Sequence, residues 1–164
     1  VHFAGANITQ AITSFANLHV PQGRGKRYPG PFTILDESYN ANPASMRAAL
    51  AVLGQSRTTR KIAVLGDMRE LGVRAREHHE NLLDPLLGNG IDVVFCCGPL
   101  MTHLYERLPK TMQGGYAPTS LELIPLVLHA LQAGDTISVK ASLGTRVKPI
   151  VDALLERQKE MGGI

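Results

Sequence analysis

An α/β fold is what this sequence predicts, with a mostly parallel sheet covered by helices on both faces. Two observations carry the prediction. Short apolar runs rich in β-branched residues recur along the chain, as strands buried on both sides do. Amphipathic helical patterns lie between them, and such alternation implies right-handed crossovers onto one sheet. The expected architecture is three-layered and Rossmann-like.

The elements follow in order. Ala6 to Leu18 reads as a helix with Ile8, Ala11, Ile12, Phe15 and Ala16 on one side. It runs into VPQGRGKRYPGP, whose interleaved Pro, Gly and basic residues read as a linker. We place the boundary near Gly25. Residues 1–25 are then the last helix of a preceding domain plus a linker, and residues 26–164 the domain proper. The first residue is Val1 rather than Met, which fits a piece of a longer chain.

Phe32–Leu35, Ile62–Leu65, Asp92–Cys97 and Thr136–Val139 are the expected strands, with a fifth around Tyr116. Asn42 is an N-cap candidate with Pro43 at the first helical position. Met46, Ala49, Leu50 and Leu53 then follow at helical spacing, and Gly54 stands where a C-terminal cap would. A second helix is expected from about Gly72 to Leu87, with its end kinked or shortened by Pro85. Pro99 is expected to open a short helix with Leu100 and Leu104 on one face. Thr119 and Glu122 have capping-box spacing before LELIPLVLHAL. A last helix aligns Val147, Ile150, Val151, Leu154 and Leu155.

Composition narrows the function classes. The chain has 164 residues, 44% of them hydrophobic, enough to bury a sizeable core. Net charge is only +3, and aromatics are 5% with no Trp, which argues against a stacking platform for nucleic acid. Cys96 and Cys97, the only cysteines, are adjacent on a strand and point to opposite faces. No disulfide framework is implied; buried inert thiols in a reducing, cytoplasmic setting are expected. No apolar run has the length of a membrane span, and VHFAGANITQ lacks the basic and apolar regions of a signal peptide.

In such sheets ligands bind beyond the carboxyl ends of the strands. The segments to search are Asp36–Asn42, Gly66–Gly72, Gly98–Met101 and Lys140–Arg146. A phosphate loop of the GxxxxGK[ST] type is missing: before Gly25-Lys26 the first glycine position holds Val20, and Arg27 follows. His78-His79-Glu80 lacks the second zincin histidine, because Leu83 stands there, so these histidines read as surface or helix-packing groups. Arg24, Lys26 and Arg27 read equally as phosphate contacts or as a solvated linker. Arg57, Arg60 and Lys61 read as a solvated face. The segment Asp36-Glu37-Ser38-Tyr39-Asn40-Ala41-Asn42-Pro43 differs from all of these. Local turn chemistry needs one Asn and the Pro; the surplus of Asp, Glu, Tyr and a second Asn points to a ligand.

LDESYNANPASMRAAL, followed by KIAVLGDMRELG, resembles the C-terminal domain of the Mur ligases. Within that family the closest pattern is that of the member adding D-alanyl-D-alanine to a UDP-N-acetylmuramoyl-tripeptide. CGPLMTHL, the GRG at Gly23–Gly25, and AGDTISVKASLGTR, which resembles a VKGSxxxR loop, agree with it, so that the likeness runs from Gly5 to Leu155. Two departures stand out. Glu37 replaces a second aspartate, and Ala141 replaces a glycine, where a methyl group is expected to restrict backbone approach to a ligand.

The resemblance implies a three-domain ligase. Its first domain holds the UDP-sugar substrate. Its central domain carries the ATP phosphate loop and the magnesium ligands. Its third brings in the amine and closes over the nucleotide. ATP and magnesium are the implied cofactors, both held mainly by the central domain. D-alanyl-D-alanine, ATP and, through the other domains, UDP-N-acetylmuramoyl-tripeptide are the implied partners. No catalytic or metal-binding residue is expected in this chain, and alone it should be inactive. The resemblance further implies that Asp36 or Glu37 accepts hydrogen bonds from the ribose. Tyr39, Asn40 and Asn42 would contact adenine or ribose, unless Asn42 is only a cap. Asp67 and Arg69 would shape the amine pocket, and Ser142, Thr145 and Arg146 would hold the dipeptide carboxylate at the start of the last helix. The alternatives are another member of the family, which SYNANP argues against, and a free-standing α/β binding module, for which no cofactor loop is present.

Overall fold

The computed structural model describes residues 22–163. The helix expected at Ala6–Leu18 lies outside the described residues.

Six strands form one sheet in the order β1-β2-β6-β3-β4-β5. They are β1 (Lys26–Tyr28), β2 (Thr33–Glu37), β3 (Lys61–Gly66), β4 (Val93–Cys97), β5 (Gln113–Ala117) and β6 (Thr136–Lys140). All neighbours are parallel except β1, which pairs antiparallel with β2. The sequence reading placed β1 in a linker. Its short, basic stretch gives no apolar signal because none of its three residues is fully buried.

The helices are α1 (Pro43–Gly54), α2 (Ala75–Glu80), α3 (Leu83–Gly88), α4 (Thr102–Tyr105), α5 (Ser120–Ala130) and α6 (Lys148–Gly162). Side chains alternate across the sheet and build two cores. Leu35, Ala63, Leu65, Val94 and Cys96 meet Met46, Leu50 and Leu53 of α1, Leu82 before α3, Leu86 and Leu104 on one face. Ile34, Ile62, Val64, Phe95, Cys97, Ile137 and Val139 meet Leu123 and Val127 of α5 and Ile150, Val151 and Leu154 of α6 on the other. The two cysteines thus enter different cores, both free and fully buried. Burial raises both thiols, Cys97 to about 11, so neither is a thiolate at neutral pH.

Four expected features are corrected. The helix placed at Gly72–Leu87 is a 3₁₀ turn, Gly72–Arg74, and two short helices separated at Asn81–Leu82. Pro85 sits in the first turn of α3 and has no N–H to give the Asn81 carbonyl, so the break falls upstream of the proline rather than at the helix end. Gly54 is not a left-handed cap; Gln55 caps α1 in a right-handed conformation. Glycine is needed there because a Cβ would lie 2.8 Å from the Cβ of Asn89. Pro99 lies in a turn, and α4 starts only at Thr102. Arg60 is not merely solvated: its Nε and Nη2 grip the fully buried carboxylate of Asp135 at 3.0 and 2.7 Å, tying the foot of β3 to the foot of β6. Arg57 alone of its group is exposed.

The connections set the site. β2 leads to β3 through α1, on one face, and skips over the place that β6 later fills. β6 is reached from the far edge through α5 and leaves through α6, both on the opposite face. The loops leaving β2 and β3 therefore turn away from the loop leaving β6, and crevices open at the carboxyl ends between them.

Candidate functional site

The loop after β2 is built on Asp36. This side chain is fully buried, and both its oxygens are occupied: Oδ2 accepts from the Gly23 amide at 2.9 Å, and Oδ1 accepts from the Ser38 amide at 3.1 Å and from the Ser38 hydroxyl. Asp36 therefore does not reach a cleft, and of the two adjacent carboxylates only Glu37 does. What Asp36 does is fold the glycine-rich segment beneath the loop. Gly23 has φ +76°, and a Cβ there would meet the Tyr39 backbone nitrogen and Cβ at 3.0 Å. Arg24 then lies over the Tyr39 ring, 4.2 Å from its centroid, a cation–π contact.

Asn42 caps α1 as its position suggests. Its Oδ1 accepts from the Ser45 amide at 2.8 Å, and Ser45 Oγ accepts from the Asn42 amide at 3.0 Å. With Oδ1 spent on the cap, its Nδ2 remains for a ligand. Gly23, Arg24, Glu37, Tyr39, Asn40, Asn42, Ser45 and Lys140 enclose a cleft of about 300 Å³ between the ends of β2 and β6. Four of the five expected nucleotide residues are among them. Lys140 was not singled out from its segment, and Arg24 was left open between a phosphate contact and a solvated linker. Lys140 had a signal, a lone charge ending an apolar strand; Arg24 had only its place among other basic residues.

A second cleft, of about 460 Å³, lies between the loops after β2, β3 and β6, with Asn40, Asn42, Arg69, Glu70, Ser142 and Gly144 on its walls. A third, of about 470 Å³, opens between the loops after β3, β4, β5 and β6. Its walls include Asp67, Arg69, Thr145 and Arg146, with Pro99, Pro118, Leu121 and Pro149 as apolar lining. Arg69 borders both, lying against the backbone of Gly144, where a Cβ would stand 2.7 Å from its Nε. Glu70 and Arg146 are the two non-glycine residues with positive φ, at 62° and 52°, among the described residues. Glu70 lines the second cleft and Arg146 the third, and such strain gathers where a surrounding structure enforces it.

The remaining expected substrate residues act largely as struts. Asp67 is buried and accepts from the amides of Leu100 at 3.3 Å and Met101 at 2.9 Å, anchoring the turn after β4. Burial raises its pKa, and those two amides hold the rise in check. Ser142 Oγ donates to the Ala41 carbonyl at 3.1 Å and accepts from the Arg69 amide at 2.9 Å, joining all three loops. Thr145 Oγ1 donates to the Asp67 carbonyl at 3.1 Å. The backbone donors expected at the start of the last helix are also used internally: the amides of Ser142, Thr145 and Arg146 go to the carbonyls of Asp67, Ser142 and Leu143. α6 begins only at Lys148, with Pro149 in its first turn. Arg146 is exposed on the rim of the third cleft. The Ala141 methyl does not face a ligand. It is fully buried beside Gly66, where a second Cβ would come within 2.6 Å of it.

His79 is the helix-packing residue of its pair. Its Nδ1 lies 2.6 Å from the Ala75 carbonyl, and its Nε2 accepts from the Met68 amide at 2.9 Å. A carbonyl can only accept and an amide only donate, so the ring is neutral with its proton on Nδ1. Burial lowers its pKa accordingly. Among the described residues no three His, Cys, Asp or Glu side chains converge as a metal centre requires. No described helix is long and apolar enough to cross a membrane.

The family model "Mur ligase, glutamate ligase domain" matches residues 23–143. The chain belongs to the Mur ligase family. Curated relatives of this Mur ligase domain include the UDP-N-acetylmuramoyl-tripeptide–D-alanyl-D-alanine ligases of Escherichia coli (strain K12) and Rickettsia prowazekii (strain Madrid E). They are 32% and 29% identical to it, each over 93% of the chain. The chain spans about a third of the length of these relatives, 34% in both cases. Among solved structures, a MurF from Acinetobacter baumannii aligns over 93% of the chain and 35% of its own, with a TM-score of 0.80 and 26% identity. MurF ligase from Thermotoga maritima, solved in complex with ADP, aligns over 92% of the chain and 34% of its own, with a TM-score of 0.77 and 23% identity, a likeness of fold.

Proposed function

We propose that this Mur ligase domain is the third domain of an ATP-dependent ligase that adds D-alanyl-D-alanine to UDP-N-acetylmuramoyl-tripeptide, a cytoplasmic step in peptidoglycan precursor synthesis. One observation carries the reading. The loops Asp36–Asn42, Asp67–Leu71 and Lys140–Arg146 meet at one sheet edge, in a chain whose relatives bear that ligase's name.

The reaction is two transfers. The γ-phosphoryl group of ATP passes to the terminal carboxylate of the tripeptide, giving an acyl phosphate and ADP. The free amine of D-alanyl-D-alanine attacks that carbonyl, the tetrahedral intermediate expels phosphate, and the nitrogen loses a proton to leave the amide. Catalysis of this kind depends on positioning and on excluding water, since an acyl phosphate hydrolyses. A domain that closes over the nucleotide serves both needs.

Two of the three clefts have a part in this scheme. In the β2/β6 cleft, Glu37 accepts from the ribose hydroxyls, while Tyr39, Asn40 and Asn42 Nδ2 face the base or sugar. In the third cleft, Arg146 grips the dipeptide carboxylate with two parallel hydrogen bonds, and Arg69 stands beside it. The apolar prolines and Leu121 suit the two methyl groups of D-alanyl-D-alanine. Asp67, Ser142 and Thr145 hold these loops in place. The test is ligation by the full-length protein supplied with ATP, magnesium and UDP-N-acetylmuramoyl-tripeptide. We expect D-alanyl-D-alanine to be incorporated with one phosphate released per amide formed. Incorporation of a single amino acid instead would assign the domain to another member of the family.

A further inference from the structure

Lys140 is the only lysine buried among the described residues, 3% exposed. It ends β6 directly opposite Glu37 on β2, the last rung of a parallel pair. Its Nζ donates to the Asn40 carbonyl at 2.9 Å and lies 3.5 Å from Glu37 Oε2. Burying an ammonium is costly unless its donors are used. Core packing would be served as well by an apolar side chain, so stability gives no reason for the charge. The contacts are specific to the cleft. Asn40 and Glu37 both line it, and Lys140 lines it too.

We infer that Lys140 is a positioning residue for the nucleotide cleft, acting through the Asn40 carbonyl and the Glu37 carboxylate; this rests on the reading of that cleft as a nucleotide site. Two residues further on, Ser142 holds the neighbouring Ala41 carbonyl at 3.1 Å. Alternate side chains leaving β6 thus pin two successive carbonyls of the β2 loop, so the Asn40 and Asn42 side chains are presented in one arrangement. The ammonium also fixes the direction in which Glu37 points. An ammonium has three donors, and two protein acceptors leave one N–H for an oxygen of the ligand. Burial lowers the lysine's pKa, and Glu37 opposes the fall.

The experiment is calorimetric titration of the full-length protein with ADP, for wild type, Lys140→Met and Lys140→Arg, beside thermal melts and ligation kinetics. Lys140→Met keeps the length of the stem and removes the donor. We expect it to weaken ADP about ten-fold or more and to raise the KM for ATP in step. The KM for D-alanyl-D-alanine should stay within about two-fold, and the melting temperature within a few degrees. Lys140→Arg should recover part of the loss. If wild type binds ADP and Lys140→Met binds it within two-fold, the inference is wrong while the functional reading stands. If both variants lose folding together, Lys140 belongs to stability and the inference is equally overturned. If wild type binds no nucleotide, the reading of the cleft and the inference fall together.

Discussion

At the scale of single residues, His79 and Gly98 show how the site loops are held. The neutral imidazole joins the β3 loop to α2 through the Met68 amide and the Ala75 carbonyl. Its folded pKa lies below the ordinary value of 6.5 because of burial. The unfolded chain therefore takes up the proton first as pH falls. His79 contributes stability that is present above pH 6.5 and is lost as pH drops through the folded pKa. Urea melts between pH 7.5 and 5 should show falling stability, with a shallower fall in His79→Gln; equal slopes would remove His79 as the source. Gly98 has φ +105°, and a Cβ there would lie 2.5 Å from the Asp67 carboxyl carbon. Gly98→Ala should cost about 2–4 kcal/mol, from backbone strain and from displacing a buried, hydrogen-bonded carboxylate. An unchanged denaturation midpoint would contradict this. The family resemblance implied a pocket-shaping role for Asp67, but the sequence could not show that its carboxylate faces inward. A hydrogen bond to amides more than thirty residues away leaves no local pattern.

At the scale of elements, α1 was the most legible. Its cap, its proline and its apolar stripe all agree with one another and with the structure. Asn42→Ala should lower stability by about 1 kcal/mol, the usual loss for such a cap. Asn42→Asp and Asn42→Ser should keep most of that stability, because each retains an oxygen for the Ser45 amide. If in the full-length enzyme Asn42→Ser is as stable as wild type yet binds nucleotide more weakly, the Asn42 amide has a role beyond the cap. The region 72–88 was the least legible. A helix-like pattern persists across the break at Asn81–Leu82 because Leu82 and Leu86 both still enter the core. Periodicity reports which residues face inward; it does not report an interruption that keeps them inward. β1 was invisible for the opposite reason, having too little buried surface to leave a pattern.

At the scale of the whole molecule, the strand–helix alternation was enough to predict the parallel sheet and the edge at which the clefts open. It did not give the position of β6 between β2 and β3, and that placement brings Lys140 to Glu37 and Ser142 to Ala41. Loops far apart in sequence thus become the walls of shared clefts. The 164-residue chain carries no GxxxxGK[ST] loop, so on its own it should neither hydrolyse ATP nor form the amide bond. Steady ATP turnover by the purified chain would contradict the assignment of phosphate chemistry to the rest of the enzyme. The central claim is that nucleotide and dipeptide occupy different clefts of this one edge, and steady-state kinetics of Glu37→Ala and Arg146→Lys in the full-length ligase test it most directly. Glu37→Ala should raise the KM for ATP about ten-fold, as loss of a hydrogen bond involving a charged group does, and leave the KM for D-alanyl-D-alanine near wild type. Arg146→Lys should do the reverse, lowering kcat/KM for the dipeptide about ten-fold because an ammonium cannot make the paired contact. Both variants shifting the same parameter, or Arg146→Lys leaving dipeptide kinetics unchanged, would contradict the account.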